Sequence, residues 1–146
     1  MNSTAPRQLF TLEEATQRLP LVRSIVRDIV VLHDEVADRR ERLDRLKEGR
    51  LREDASSPYN EELEQSEGAL EKDLQQLEEY RRELEEIGAE LKDAGEGLVD
   101  FRSLIDGREV YLCWKLGEPE ISFWHELDAG FQGRQSLFGQ TASGES

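Results

Sequence analysis

The residues best equipped for chemistry crowd into the last third of the chain, and two turns decide how they meet. Asp106-Gly107 lies between Val99-Asp100-Phe101 and Val110-Tyr111-Leu112-Cys113-Trp114, the signature of a two-residue hairpin. It sets Asp100 opposite Cys113 and Arg102 opposite Tyr111. A four-residue turn at Gly117-Glu118-Pro119-Glu120 then sets Cys113 opposite Trp124 and Tyr111 opposite Glu126. Asp100, Arg102, Tyr111, Cys113, Trp124 and Glu126 thus share one sheet face, with neighbouring Cβ atoms about 5 Å apart. A small polar ligand finds Arg102 there for a carboxylate or phosphate, Trp124 to stack on, and Asp100 or Glu126 as a base. The competing reading is a solvated face with one cross-strand charge network. Cys113 is not read as a nucleophile, because the neighbouring Asp100 disfavours its thiolate.

Metal ligands are sparse. The two histidines, His33 and His125, belong to no paired-ligand spacing. The same register puts His125 on the apolar face of the sheet, between Phe123 and Leu127 and opposite Leu112. His33 shares a stripe with Val26 and Val30 that faces the sheet, so the two rings have a route to each other. A hydrogen-bonded core histidine, held by a backbone carbonyl or by Glu35, is the commoner outcome. Neither a metal nor another cofactor is expected. Gly130-Phe131-Gln132-Gly133-Arg134 adds a glycine-punctuated turn that either forms an anion nest with Arg134 as counter-charge or wraps a buried Phe131.

Long helices must hold this sheet. Thr11-Leu12-Glu13-Glu14 is a capping box that opens a helix over 11–51, with a break expected near Pro20. Val22, Ile25, Ile29, Leu32, Val36, Arg39, Leu43 and Leu46 alternate spacings of three and four, a heptad seam. Ser57-Pro58 offers a cap and first-turn proline for a second helix over 58–94, with its seam on Leu63, Ser66, Leu70, Asp73, Leu77, Tyr80, Leu84, Ile87 and Leu91. Folding at the short connection pairs Val22 with Leu91, Ile29 with Leu84 and Val36 with Leu77. It also pairs the two charged misfits, Arg39 and Asp73. The expected fold is α+β: a long antiparallel, coiled-coil-like helical hairpin, then a three-stranded antiparallel meander over 97–127. Residues 1–137 read as one domain and 138–146 as a disordered tail.

Several segments resemble a known bacterial family, the domain of unknown function 2203. They are Leu9-Phe10-Thr11-Leu12-Glu13-Glu14-Ala15, Glu90-Leu91-Lys92-Asp93, Gly97-Leu98-Val99-Asp100-Phe101, Asp106 through Trp114, Leu116 through Glu120, Trp124-His125-Glu126 and Gly130 through Arg134. The resemblance brings no reaction, substrate or cofactor. It implies that the Trp-His-Glu and Gly-Phe-Gln-Gly-Arg region is the family's signature and the hairpin its variable arm.

Composition narrows the function further. Across 146 residues, 33 acidic side chains outnumber 19 basic ones, giving a formal charge of −14. That balance opposes nucleic acid and anionic membranes as partners. No apolar run reaches a membrane span, and the first residues lack a signal-peptide core. A single cysteine excludes an internal disulfide framework. The expectation is a cytoplasmic interaction or scaffolding module, dimeric or bound to another protein. The alternative is a ligand-binding or metal-dependent site on the sheet, with Arg134 among its candidates.

Overall fold

A computed structural model describes residues 8–51 and 59–137. Helices α1 (Leu12–Leu51) and α2 (Tyr59–Ile87) precede strands β1 (Ala89–Asp93), β2 (Leu98–Ile105), β3 (Arg108–Lys115), β4 (Phe123–Glu126) and β5 (Gln135–Ser136). A 3-10 turn at Phe131–Gly133 precedes β5. All five strands form one antiparallel sheet in chain order. The α+β hairpin-plus-sheet architecture is as read from sequence, with five strands in place of three. The expected cap at Ser57-Pro58 and the tail over 138–146 lie outside the described residues.

The capping box forms as the sequence reads. Thr11 N–H donates to Glu14 Oε1 at 2.9 Å, and Glu14 N–H donates to Thr11 Oγ1 at 3.0 Å. The break near Pro20 does not occur: α1 runs through it without interruption. Proline removes one helical hydrogen bond, but Ala15, Leu19, Val22 and Ile25, on both sides of it, are all buried. A continuous helix keeps them on one face. The interhelical register holds where it is most diagnostic, because Arg39 Nε donates to Asp73 Oδ2 at 3.3 Å.

Helix α2 ends at Ile87, seven residues before the expected boundary at 94. The stop is Gly88, whose φ of 109° suits glycine and whose N–H bonds back to the carbonyls of Leu84 and Glu85. Arg18 Nη1 closes the end by donating to the Ile87 carbonyl at 2.8 Å. The chain then enters β1, where alternation puts Ala89 and Leu91 against the core. Leu91 therefore mimicked a heptad position and is not the helical partner of Val22.

The main core lies between the helices and the sheet's inner face. Val22, Val26 and Ile29 from α1 and Leu84 from α2 meet Val99, Phe101, Val110, Leu112 and Trp114. Phe10 joins from the N-terminal side: its N–H donates to the Arg102 carbonyl at 2.7 Å, and its ring stands edge-on to Phe101 at 5.3 Å. A second, smaller cluster of Leu43, Leu46 and Leu63, with Leu70 packed on it, lies far along the hairpin.

The first β-hairpin has the expected register, Asp100 opposite Cys113 and Arg102 opposite Tyr111. Its turn residues Asp106 and Gly107 have φ of 55° and 77°, as a type I′ turn requires. The second pairing is shifted by one residue: Leu112 faces Trp124 and Tyr111 faces His125. A one-residue slip exchanges the faces of a strand. Trp124 therefore packs into the core, and Glu126 moves to the inner side at the sheet's rim, where it accepts from Arg108 at 2.8 Å. His125 and Phe123 take the outer face. Both registers bury an aromatic ring, so periodicity alone did not separate them. The larger indole wins the core, and the connection is longer than a four-residue turn. Glu118 braces that connection by accepting from the Lys115 N–H at 2.9 Å and, through its carbonyl, from Trp114 Nε1 at 2.9 Å.

Candidate functional site on the outer sheet face

The outer face, away from the helices, carries Glu90, Asp100, Arg102, Tyr111, Cys113, Phe123 and His125. Of the predicted cluster, Asp100, Arg102, Tyr111 and Cys113 meet there. Trp124 and Glu126 do not, for the register reason above. His125 replaces them: it is 2% exposed, on the face opposite to the one expected. Its burial has a different origin from the helical cover first anticipated. Leu127, Gly130 and Phe131 form one rim of an open pocket of about 270 Å³, and Asp100, His125, Tyr111 and Lys92, with Asp93 and Leu98, line the rest.

At the floor, His125 Nε2 lies 3.0 Å from Asp100 Oδ2, and both side chains are buried. The other ring nitrogen, Nδ1, sits 2.8 Å from the Glu126 carbonyl, the backbone partner that had been one of the alternatives. Asp100 Oδ1 is buried and has no hydrogen-bond partner among the described residues. The Cys113 thiol completes the group, and its sulfur, an Asp100 oxygen and a His125 nitrogen all lie within 4.8 Å of one another. Burial raises the Asp100 carboxyl above the usual range despite the opposing pull of His125. Burial, then the Asp100 charge, push the Cys113 thiol up to about 12. The sulfur is thereby held as a protonated thiol.

Beside the floor stands a polar network that the sequence showed only in part. Arg102 donates to Tyr111 Oη at 2.9 Å and to Glu109 at 3.1 Å, while Tyr111 Oη donates to Glu90 at 2.8 Å. Lys92 donates to the same Glu90 oxygen at 3.0 Å and lies 4.5 Å from the centre of the Tyr111 ring. Burial opposes ionisation of Glu90, but the hydrogen bonds from Tyr111 and Lys92 and the adjacent cations outweigh it and lower its pKa. Arg102 is thus committed to internal partners and is not poised for an external anion. Glu90 and Lys92 lie in a segment whose leucine spacing continues that of α2, so the sequence places them on a helix. Alternation in Ala89-Glu90-Leu91 was the available signal.

Arg134 is likewise engaged. Its guanidinium grips Glu118 with two bonds, of 2.8 and 2.7 Å, and stacks 4.1 Å from the Phe123 ring centre and 4.6 Å from that of Phe131. The Gly130 turn therefore forms a clamp, not an anion nest with a free counter-charge. Phe131 is 40% exposed, where a buried ring had been the alternative. His33 stays on α1, half exposed, with Cε1 facing Gly95. The sheet separates it from His125, so a two-histidine metal site does not form.

This arrangement, a helical hairpin docked on a five-stranded sheet whose outer face holds a buried Asp-His-Cys group, defines the class of domain. The chain matches the family model described as uncharacterized conserved protein (DUF2203) over residues 8–137, and it belongs to that family. No curated protein and no solved structure matches the chain. Among the described residues, no helix is long and apolar enough to cross a membrane.

Proposed function

We propose that the protein is an interaction module whose helical hairpin packs against another chain, in the first instance a second copy of itself. The observation that carries this is the distal arm. Beyond the Arg39–Asp73 layer, its apolar cluster is a single seam between two helices, with Leu43, Leu46 and Leu63 buried and no sheet behind them. Leu74, next to Asp73 on the sheet side of that layer, remains 38% exposed. Two arms laid side by side make a four-helix bundle and thicken that seam. The proximal stripe of Val22, Ile25, Val26 and Ile29 is covered by the sheet as well as by α2, a second layer that the distal seam lacks. We assign the protein to the cytoplasm, where a free, buried Cys113 stays reduced.

Light scattering after size exclusion, at tens of micromolar, tests this reading. The expected mass is twice that of the chain, with the dimer favoured by salt because each copy carries a formal charge of −14. Leu74→Lys is expected to yield monomer with unchanged helicity. A wild-type monomer across that range overturns the proposal.

A second reading is favoured by the pocket itself: the outer sheet face as a binding site for a small polar ligand. Asp100 and His125 at its floor and Tyr111 and Lys92 on its wall support it. Thermal-shift screening of small carboxylates and phosphates against wild type and Lys92→Ala tests it. A set in which none stabilises the wild type removes the reading.

A further inference from the structure

The geometry points to a divalent transition-metal site formed by Asp100, Cys113 and His125, with zinc as the natural class of ion. The Glu126 carbonyl only accepts hydrogen bonds, so Nδ1, 2.8 Å away, carries the ring proton and fixes the tautomer. A neutral ring then aims the lone pair of Nε2 at Asp100 Oδ2, 3.0 Å distant, acceptor against acceptor. That contact is favourable only with positive charge between the two atoms. A proton satisfies those two atoms and leaves Asp100 with only the weak thiol donor of Cys113 beside it, its Oδ1 buried without a nitrogen or oxygen partner among the described residues. A metal ion engages Nε2, an Asp100 oxygen and the Cys113 sulfur together.

The dimensions agree. Tetrahedral ligands about 2.0–2.3 Å from zinc stand roughly 3.3–3.7 Å from one another, and here the donor atoms lie within 4.8 Å with no ion between them. The Asp100–His125 pair, 3.0 Å apart, opens by a few tenths of an ångström, and the longer separations close by at most about 1.5 Å, given those bond lengths. A histidine whose second nitrogen is held by a backbone carbonyl is the usual outer support of a metal ligand. The donor set of thiolate, imidazole and carboxylate excludes calcium and magnesium, which take oxygen, and suits zinc or cobalt. The charges of thiolate and carboxylate match the dication, and the displaced thiol proton leaves to solvent. Three protein ligands leave a fourth position, and the pocket lined by Asp100 and His125 gives water or a small anion access to it.

This inference deepens the ligand-binding reading above, but it is tested separately. The full chain, stripped with chelator, is titrated with cobalt(II) and its absorption recorded. One equivalent is expected to bind with tetrahedral d–d bands and a thiolate-to-cobalt charge-transfer band. Since Cys113 is the single cysteine, that band identifies it in the wild type without any substitution. Zinc affinity, measured by chelator competition, is expected to fall at least about a hundredfold in Cys113→Ser and in His125→Gln, and to stay unchanged in His33→Gln. Absence of stoichiometric cobalt binding by folded wild type overturns the proposal, and so does binding without the charge-transfer band. A metal-loaded protein that no polar ligand stabilises would retain the metal site and remove only the ligand reading.

Discussion

Replacing Arg134 is expected to release the segment that rims the pocket, and the size of the effect follows from what the guanidinium touches. Its paired hydrogen bonds to the Glu118 carboxylate contribute about 1.5–3 kcal/mol net as a charge-assisted interaction. Stacking on Phe123 and Phe131 adds about 0.5–1 kcal/mol each. These contributions overlap, so Arg134→Ala is expected to cost about 3 kcal/mol. For a chain of 146 residues this lowers Tm by roughly 10 °C, at about 3 °C per kcal/mol. Arg134→Lys keeps the charge but loses the planar fork, and is expected to recover less than half the loss. The assay is a double-mutant cycle with Glu118→Gln in urea, read together with amide exchange of Leu137, whose N–H bonds to the Ser122 carbonyl at 2.9 Å. A coupling of about 1.5 kcal/mol or more is expected, with the Leu137 amide exposed in Arg134→Ala. Additivity within about 0.5 kcal/mol, or a Leu137 amide as protected as in wild type, would refute the clamp.

Four further outcomes follow from the contacts described above. Gly97→Ala is expected to cost about 3 kcal/mol in denaturant melts, combining a left-handed backbone with overpacking, because φ is 68° and a Cβ would stand 2.8 Å from Leu116 Cβ. Gly107→Ala, at φ 77° but in open space, should cost only about 1 kcal/mol. At the half-buried seam pair, Asp73→Leu alone should destabilise by about 1 kcal/mol by stranding Arg39, whereas Arg39→Leu with Asp73→Leu should be at least as stable as wild type; a double variant weaker than the single would contradict this. Burial raises the pKa of Glu118, but the Arg134 hydrogen bonds, the Lys115 N–H and both positive charges outweigh it, leaving the folded value lowered. Its stabilising contribution is therefore complete above the unfolded pKa of about 4.3 and lost as pH falls through the folded value; acid melts of Glu118→Gln should show a shallower loss over that window than wild type.

How much of this was legible in the chain depends on whether one local signal had a rival. The capping box at Thr11 and the Asp106-Gly107 turn each had one geometric solution, and each forms; the Arg39–Asp73 layer had snorkelling of both side chains to water as its rival, and the pair forms. Gly88 was hidden because Leu84, Ile87 and Leu91 continue a helical spacing across it, although Leu91 earns its core position as a strand residue. The β4 strand was ambiguous for a related reason: Phe123 and Trp124 give it an aromatic on each face. That ambiguity moved His125 from one side of the sheet to the other. The Asp100 and Cys113 pairing was readable, but the histidine that completes the group depended on a register that local pattern does not fix.

The Arg39–Asp73 layer has a consequence for how the arm can vary. It separates the sheet-backed core from the distal Leu43–Leu46–Leu63 cluster, so the two apolar clusters do not share side chains. Adding or removing seven residues in each helix beyond that layer preserves the seam and changes the arm's reach by about 10 Å, at 1.5 Å per residue. The hairpin is in this sense a ruler with a fixed zero at the sheet, and the distance it spans can change without altering the outer face.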